Sequence, residues 1–338
     1  MRNKTKHIIL LLAAMLLMHF SPAQTFLAAV KAGGKWGFID KSGQWVIEAR
    51  YENAESFSEG LAGVKTVSGW GYIDHTGKMV INPIYKRAED FSEGLGRVII
   101  RLTDNNKWIY LDKEGKQAFP QQFENCQNFS GGLAGARTGK LWGYIDKTGN
   151  FVIPDRYEHA EPFFNGIARV KLGNTYGFID TKGNWILETR FENIRDMKEG
   201  IAPAKGKLGW GYIDIKGNTI VPIDNDHAQP FSEGFGRVCK KRWGFIDKTG
   251  KPLTGFLFDN ARDFSGGYAA VEMKGEWGYI DTGGIVRIPY QYELATGFSQ
   301  GLAAVRLRGS WGYLNPDGVL VIAPIFEDAL LFSEISEQ

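Results

Sequence analysis

Apolar and polar positions follow a pattern that resets about every 34 residues along most of the chain. An apolar run such as Leu61 to Val64 or Leu302 to Val305 opens each unit. An aromatic and β-branched pentad follows, and then a Val-Ile segment such as Phe151-Val152-Ile153. Short runs of this composition, bounded by Gly, Asn and Asp, predict strands. The pentad sets the period. It reads WGFID at Trp36, WGYID at Trp70, WIYLD at Trp108, WGYID at Trp142 and YGFID at Tyr176. WGYID at Trp210, WGFID at Trp243, WGYID at Trp277 and WGYLN at Trp311 complete nine units. A fixed period of this size signals a repeat array.

Each unit predicts a three-stranded antiparallel meander. Asp-x-x-Gly joins the second and third strands, as in Asp40 with Gly43, Asp146 with Gly149 and Asp247 with Gly250. Aspartate accepts a backbone hydrogen bond at the start of a turn, and glycine supplies positive φ at its end. Pro83, Pro154, Pro222, Pro289 and Pro324 are expected to end the third strand, since proline cannot donate to a ladder. The period of two sends Trp142 and Tyr144 to one face and Gly143 and Ile145 to the other. Four aromatic series recur through the units, so the pentad aromatics at 36, 70, 108, 142, 176, 210, 243, 277 and 311 form the expected structural core.

A unit of this size is smaller than the ~40 residues usually needed to fold alone. It must therefore bury its apolar face against its neighbours. The fold expected is all-β, an open β-superhelix or solenoid. A closed, propeller-like ring is the alternative. Propeller blades normally have four strands and rings about four to eight blades, which nine three-stranded units fit poorly.

The pentad, the Asp-x-x-Gly turn and the Phe-Ser-Glu-Gly segment resemble the WG β-repeat family of bacterial exported and cytoplasmic proteins. The resemblance spans residues 27 to 334. It implies an all-β repeat protein and no particular activity, because the family has no defining catalytic residues to carry over.

Residues 1–23 read differently. Arg2, Lys4 and Lys6 precede an apolar run from Ile8 to Phe20, and Ser21-Pro22-Ala23 offers a small-x-small cleavage site. These are the three parts of a secretory signal peptide. The run is shorter than the ~20 residues a membrane span requires. The expectation is an exported chain without a span after cleavage, with residues 24–338 as one repeat domain. Its destination is the periplasm, the cell surface or the medium. Cleavage changes 40 basic against 38 acidic residues to 37 against 38, a net of −1. That excludes the basic stripe expected of a nucleic-acid binder. Cys126 and Cys239 lie more than three units apart and at different phases, so they read as buried thiols rather than a disulfide.

No zinc-protease helix, phosphate-binding glycine loop or nucleophile elbow occurs. The acids and hydroxyls are mostly periodic and belong to turns. No catalytic residue, cofactor or metal is therefore expected. Candidate binding residues are those that depart from the repeat. Trp45 and Trp185 are the only tryptophans outside the pentads and could stack on a sugar or anchor a protein. Asp224-Asn225-Asp226-His227 replaces an aromatic and Glu in the sixth unit. It offers oxygens to calcium, but too few alone. The third unit is stretched around Thr103 to Asn106 and carries Ile109 for the pentad Gly. The function expected is a non-enzymatic scaffold binding a protein or envelope polymer. The alternatives are a carbohydrate-binding module and, third, a glycoside hydrolase.

Overall fold

The structure, a computed structural model, describes residues 26–100 and 106–335. The expected signal peptide and residues 103–105 lie outside the described residues. The strands form nine sheets, the blades of a closed propeller. Blade 2 sets the pattern, with Asn53–Ser58, Leu61–Thr66, Gly69–Ile73 and Met79–Tyr85 side by side in chain order. Blades 4, 5, 6, 8 and 9 repeat it, with first strands at Asn125–Cys126, His159–Ala160, Asn193–Ile194, Asn260–Ala261 and Leu294–Ala295. Blades 3 and 7 begin at Arg87–Ala88 and His227–Ala228. Their fourth strands are reduced to isolated bridges, Trp108–Phe123 and Leu111–Gln117 in one, Trp243–Phe258 and Ile246–Pro252 in the other.

Blade 1 closes the ring. Phe26–Ala32, Lys35–Ile39 and Trp45–Tyr51 supply three strands. Asp328–Ala329 from the last unit supplies the fourth, pairing Val30 with Ala329 and Lys31 with Asp328. Two expectations are corrected here. The array is the closed ring given as the alternative rather than the open superhelix, and the units are four-stranded rather than three-stranded. The strand missed from sequence holds only two residues in most blades, too few to show an alternation. It comes from the tail of one unit but pairs in the sheet of the next.

Closure is also visible in the core. Nine apolar clusters each lie between two neighbouring blades. One of them joins Tyr313, Ile322 and Phe326 of blade 9 to Ala28, Val30 and Ile39 of blade 1. The predicted faces hold. Tyr144 packs toward blade 5 with Phe163 and Ile179, while Ile145 packs toward blade 3 with Tyr110 and Phe129. Each Phe or Tyr side chain so buried stabilises the assembly by about 1.5–3 kcal/mol relative to exposure. The pentad tyrosines also satisfy their hydroxyls across the interface. Tyr144 donates to the Glu161 carbonyl at 2.7 Å and Tyr279 to the Thr296 carbonyl at 2.9 Å.

The prolines do not end their strand, contrary to expectation. Trp70 pairs with Tyr85 and Tyr72 with Ile81, so Asn82, Pro83 and Ile84 bulge opposite Gly71. A bulged residue has no ladder bond to lose, which is why proline is tolerated there. The bulge presses onto the pentad glycine. A Cβ on Gly71 would lie 2.4 Å from the Ile81 oxygen and 2.8 Å from the Pro83 Cα. That contact explains the glycine of the Trp-Gly pair.

Candidate functional site

In a meander, the turn between strands one and two and the turn between strands three and four share one face of the ring. The first is the Phe-Ser-Glu-Gly segment. Glu59 and Gly60 have φ of 51° and 89°, and Glu233 and Gly234 have 51° and 86°. Two successive positive φ values are the signature of the tight turn that suits strand twist. The second is Asp-x-x-Gly, where Asp146 Oδ1 accepts from the Thr148 hydroxyl at 2.6 Å and from the amides of Thr148 and Asn150. The Thr148 hydrogen bond and those amides hold the Asp146 carboxyl below its ordinary value. This periodic aspartate is occupied by its turn, as the sequence implied.

Adjacent blades are tied together on this face. Ser58 donates to the Phe91 carbonyl at 2.7 Å, Ser92 to Phe129 at 2.7 Å, and Ser130 to Phe163. Ser232, Ser265 and Ser299 donate likewise to Phe264, Phe298 and Phe332, the last closing blade 9 onto blade 1. The next residue adds a second tie. Glu59 accepts from the Glu93 and Gly94 amides, and Glu233 from those of Gly266 and Gly267. Lysines of the other turn reinforce it, with Lys147 3.3 Å from Glu93 and Lys248 2.8 Å from Glu199.

The ring of serine ties is broken at blades 5 and 6, although Glu199 of blade 6 still accepts from the Gly234 amide of blade 7. Phe164 stands where the serine should be in blade 5, and Lys198 in blade 6. Phe164 has no hydroxyl for the Met197 carbonyl, and Asn165 replaces the glutamate. The Phe164 ring turns outward and is 48% exposed. A cavity of about 260 Å³ opens between the two blades. Phe163, Phe164, Ile167, Phe178 and Met197 give it an apolar lining. Arg169, Asp196 and Lys198 give it a polar rim. Arg169 is held in place by Glu161 at 2.7 Å and Asp196 at 3.1 Å, and Lys198 Nζ lies 5.8 Å from the Phe164 ring centroid. The signal in the sequence is the one unit reading Phe163-Phe164-Asn165-Gly166, where an aromatic and an amide replace the serine and glutamate.

The residues singled out from sequence are not brought together. Trp45 in blade 1 and Trp185 in blade 5 are separated by three blades. Each is partly buried and packs edge-on against the neighbouring blade, Trp45 on Phe326 at 5.9 Å and Trp185 on Tyr157 at 6.2 Å. Phe151 at the same position of blade 4 does so on Phe123. Asp224 is 2.9 Å from Lys240 Nζ, and Asp226 accepts from the Lys241 amide at 2.7 Å. His227 stacks on Trp243, with centroids 6.1 Å apart. Buried Asn225 between them donates to the Trp210 carbonyl. Among the described residues, no group of three or more His, Cys, Asp and Glu is placed to hold a metal. Cys126 and Cys239 are free and buried, and burial pushes the Cys126 thiol up to about 12. No described helix is long and apolar enough to cross a membrane.

The fold is similar to a solved structure described as the crystal structure of the eukaryotic initiation factor. That protein is 11% identical, with a TM-score of 0.68, over 93% of this chain and 99% of that one. The likeness concerns the fold alone. Kluyveromyces lactis Hsv2p, 9% identical over 84% of this chain and 98% of that one, has a TM-score of 0.39, too low to support an argument. No curated protein matches. The family described as WG containing repeat matches nine segments: 36–66, 70–108, 110–142, 142–176, 176–205, 210–241, 243–277, 277–310 and 311–334. Its matches thus span nearly all of the described chain, and the protein belongs to the WG-repeat family.

Proposed function

We propose that this protein is an exported, non-enzymatic scaffold that binds a polypeptide on the face carrying the Phe-Ser-Glu-Gly turns. One observation supports the reading most: the serine ties between blades are missing at Phe164 and Lys198, and an apolar cavity with a charged rim opens there. A side chain that could have bridged two blades is instead presented to solvent, beside a carbonyl without its serine. Apolar pockets of this size, rimmed by charge, suit a single anchoring side chain of a protein partner. Export is supported by the basic and apolar segments of residues 1–23. The absence of a catalytic role rests on the acids and hydroxyls being absorbed by turns.

A photocrosslinking residue at position 164 tests the site. Capture of one discrete protein from envelope fractions, lost when the cavity is narrowed by Ile167→Trp, is the expected result. No crosslink in any envelope fraction, or one equally strong from a probe at Ser265, would remove the site from consideration.

A further inference from the structure

Three second strands carry an arginine at the same position: Arg97 in blade 3, Arg169 in blade 5 and Arg237 in blade 7. Each reaches the following blade in the same way. Nε goes to a side-chain oxygen, of Asn128, Asp196 and Asp263 in turn. Nη1 goes to a backbone carbonyl, of Cys126, Ile194 and Ala261. The third donor distinguishes blade 7. Arg97 Nη2 lies 3.4 Å from the Glu89 carboxylate, and Arg169 Nη2 lies 2.7 Å from that of Glu161. In blade 7 that position is Gln229, an uncharged side chain whose oxygen already accepts from Arg195 at 2.6 Å. Arg237 Nη2 therefore lacks the carboxylate that both counterparts have.

A further arginine increases the surplus. Arg262 stands where blades 3 and 5 have Glu89 and Glu161. Its Nε donates to the Ala295 carbonyl, and among the described residues neither Nη has a hydrogen-bond or ion-pair partner. Arg237 and Arg262 line a cavity of about 250 Å³ with Asn260, Asp263 and Trp277. Both guanidiniums are held over indoles, Arg237 4.8 Å from the Trp243 centroid and Arg262 5.4 Å from that of Trp277. The Asn260 Oδ1 caps the Ala261 amide at 2.9 Å, leaving Nδ2 as another donor. Asp263 is the only acid in the lining, and its Oδ1 is engaged by Arg237 Nε. Two arginines against one aspartate leave one positive charge.

We propose that this cavity between blades 7 and 8 binds a small oxyanion, the carboxylate or phosphate group of a ligand. The group would pair with Arg237 and Arg262 as Glu89 pairs with Arg97 and Glu161 with Arg169. Planar guanidinium forks suit such acceptors, and stacking on indoles fixes them beforehand. The site is separate from the cavity between blades 5 and 6 and does not depend on the polypeptide-binding reading.

The test is tryptophan-fluorescence and calorimetric titration of the full chain with inorganic phosphate and with acetate, against chloride at equal ionic strength. Saturable binding of phosphate, acetate or both, beyond chloride, is expected. The arm that saturates identifies the ligand group. Gln229→Glu supplies the missing carboxylate from within, as in blades 3 and 5. It should weaken binding at least tenfold while the unfolding midpoint is kept or raised. Arg262→Gln should weaken it similarly, and Asp263→Asn should tighten it. Binding no stronger than that of chloride, or binding unchanged in Gln229→Glu, would overturn the assignment.

Discussion

Replacing Gly143 by alanine should destabilise the propeller although it adds a single methyl group. A Cβ there would sit 2.5 Å from the Ile153 oxygen, 2.7 Å from the Asp155 nitrogen and 2.8 Å from the Pro154 carbonyl carbon. Ordinary contact begins at 3.4 Å, so the bulged fourth strand would have to retreat by 3.4 − 2.5 = 0.9 Å. All three obstacles are backbone, which cannot swing aside as a side chain can. The retreat would also pull Ile153 and Tyr157 out of the cluster they form with Tyr144 and Phe163. Overpacking of this kind costs about 1–3 kcal/mol. It is offset in part by about 0.4–1 kcal/mol from the smaller freedom of alanine in the unfolded chain. Gly139→Ala is the control, since nothing lies within 4 Å of its Cβ and its φ is not left-handed. That variant receives only the favourable contribution, so the two should differ by about 1–3 kcal/mol. Urea unfolding followed by tryptophan fluorescence measures the difference. Equal midpoints and slopes for the two variants would refute the account of the Trp-Gly pair.

Phe164→Ser should restore the serine tie to the Met197 carbonyl, stabilising the fold by about 0.5–1.5 kcal/mol while abolishing retention of the partner in a pull-down; lower stability with retention intact would contradict both roles. Scattering from residues 24–338 should give a compact particle with a radius of gyration of about 20 Å, the value for roughly 310 residues. A chain ending at residue 325 loses Phe326, Ala329 and Phe332 from the closing cluster, and it should expand and unfold at lower urea. Stability should fall with acid below about pH 4. The carboxyls of Asp146, Asp180, Asp214 and Asp247 are held below 3.8 by their turn hydrogen bonds. A depressed folded value contributes stability above the unfolded value that is lost as the pH falls through the folded one. Glu55 and Asp90 act oppositely, since burial and then neighbouring carboxylates raise them. Asp146→Asn should make the acid limb of a melting-temperature profile shallower by the share of one turn, because Asn315 already serves in the ninth turn; an equally steep limb would exclude this turn as a contributor.

The period, the hairpin turns and the inter-blade role of the aromatics were legible because each is a local consequence of residue type. Asp-x-x-Gly needs only four residues, and the faces of Trp142 and Tyr144 follow from strand geometry. Closure was not legible. A ring and a superhelix use the same strand pairings within each unit and differ in a small rotation accumulated over nine of them. The strand that closes the ring, Asp328–Ala329, is two residues long, and its pairing with Val30 and Lys31 spans nearly the whole chain. The prolines were misread for a related reason. Pro83 ends a regular ladder, but Tyr85 resumes pairing beyond it through the bulge that Gly71 admits.

Candidate sites were harder to read, because a departure from a repeat has meaning only when the function of the repeated residue is known. Trp45 stood out as an extra indole, yet its position is one where Phe151 also packs on the preceding blade. Phe164 looked like one more aromatic until the serine it replaces proved to bond to the next blade. Gln229 is inconspicuous in the sequence, since glutamine for glutamate is a mild change. It matters because Glu89 and Glu161 each pair with the arginine of their blade, and Arg237 keeps the arginine without the acid. In a closed ring of near-identical blades, two intact copies thus act as internal controls for the third. The inference of an unpaired positive charge comes from that comparison, and it needs no related protein to make it.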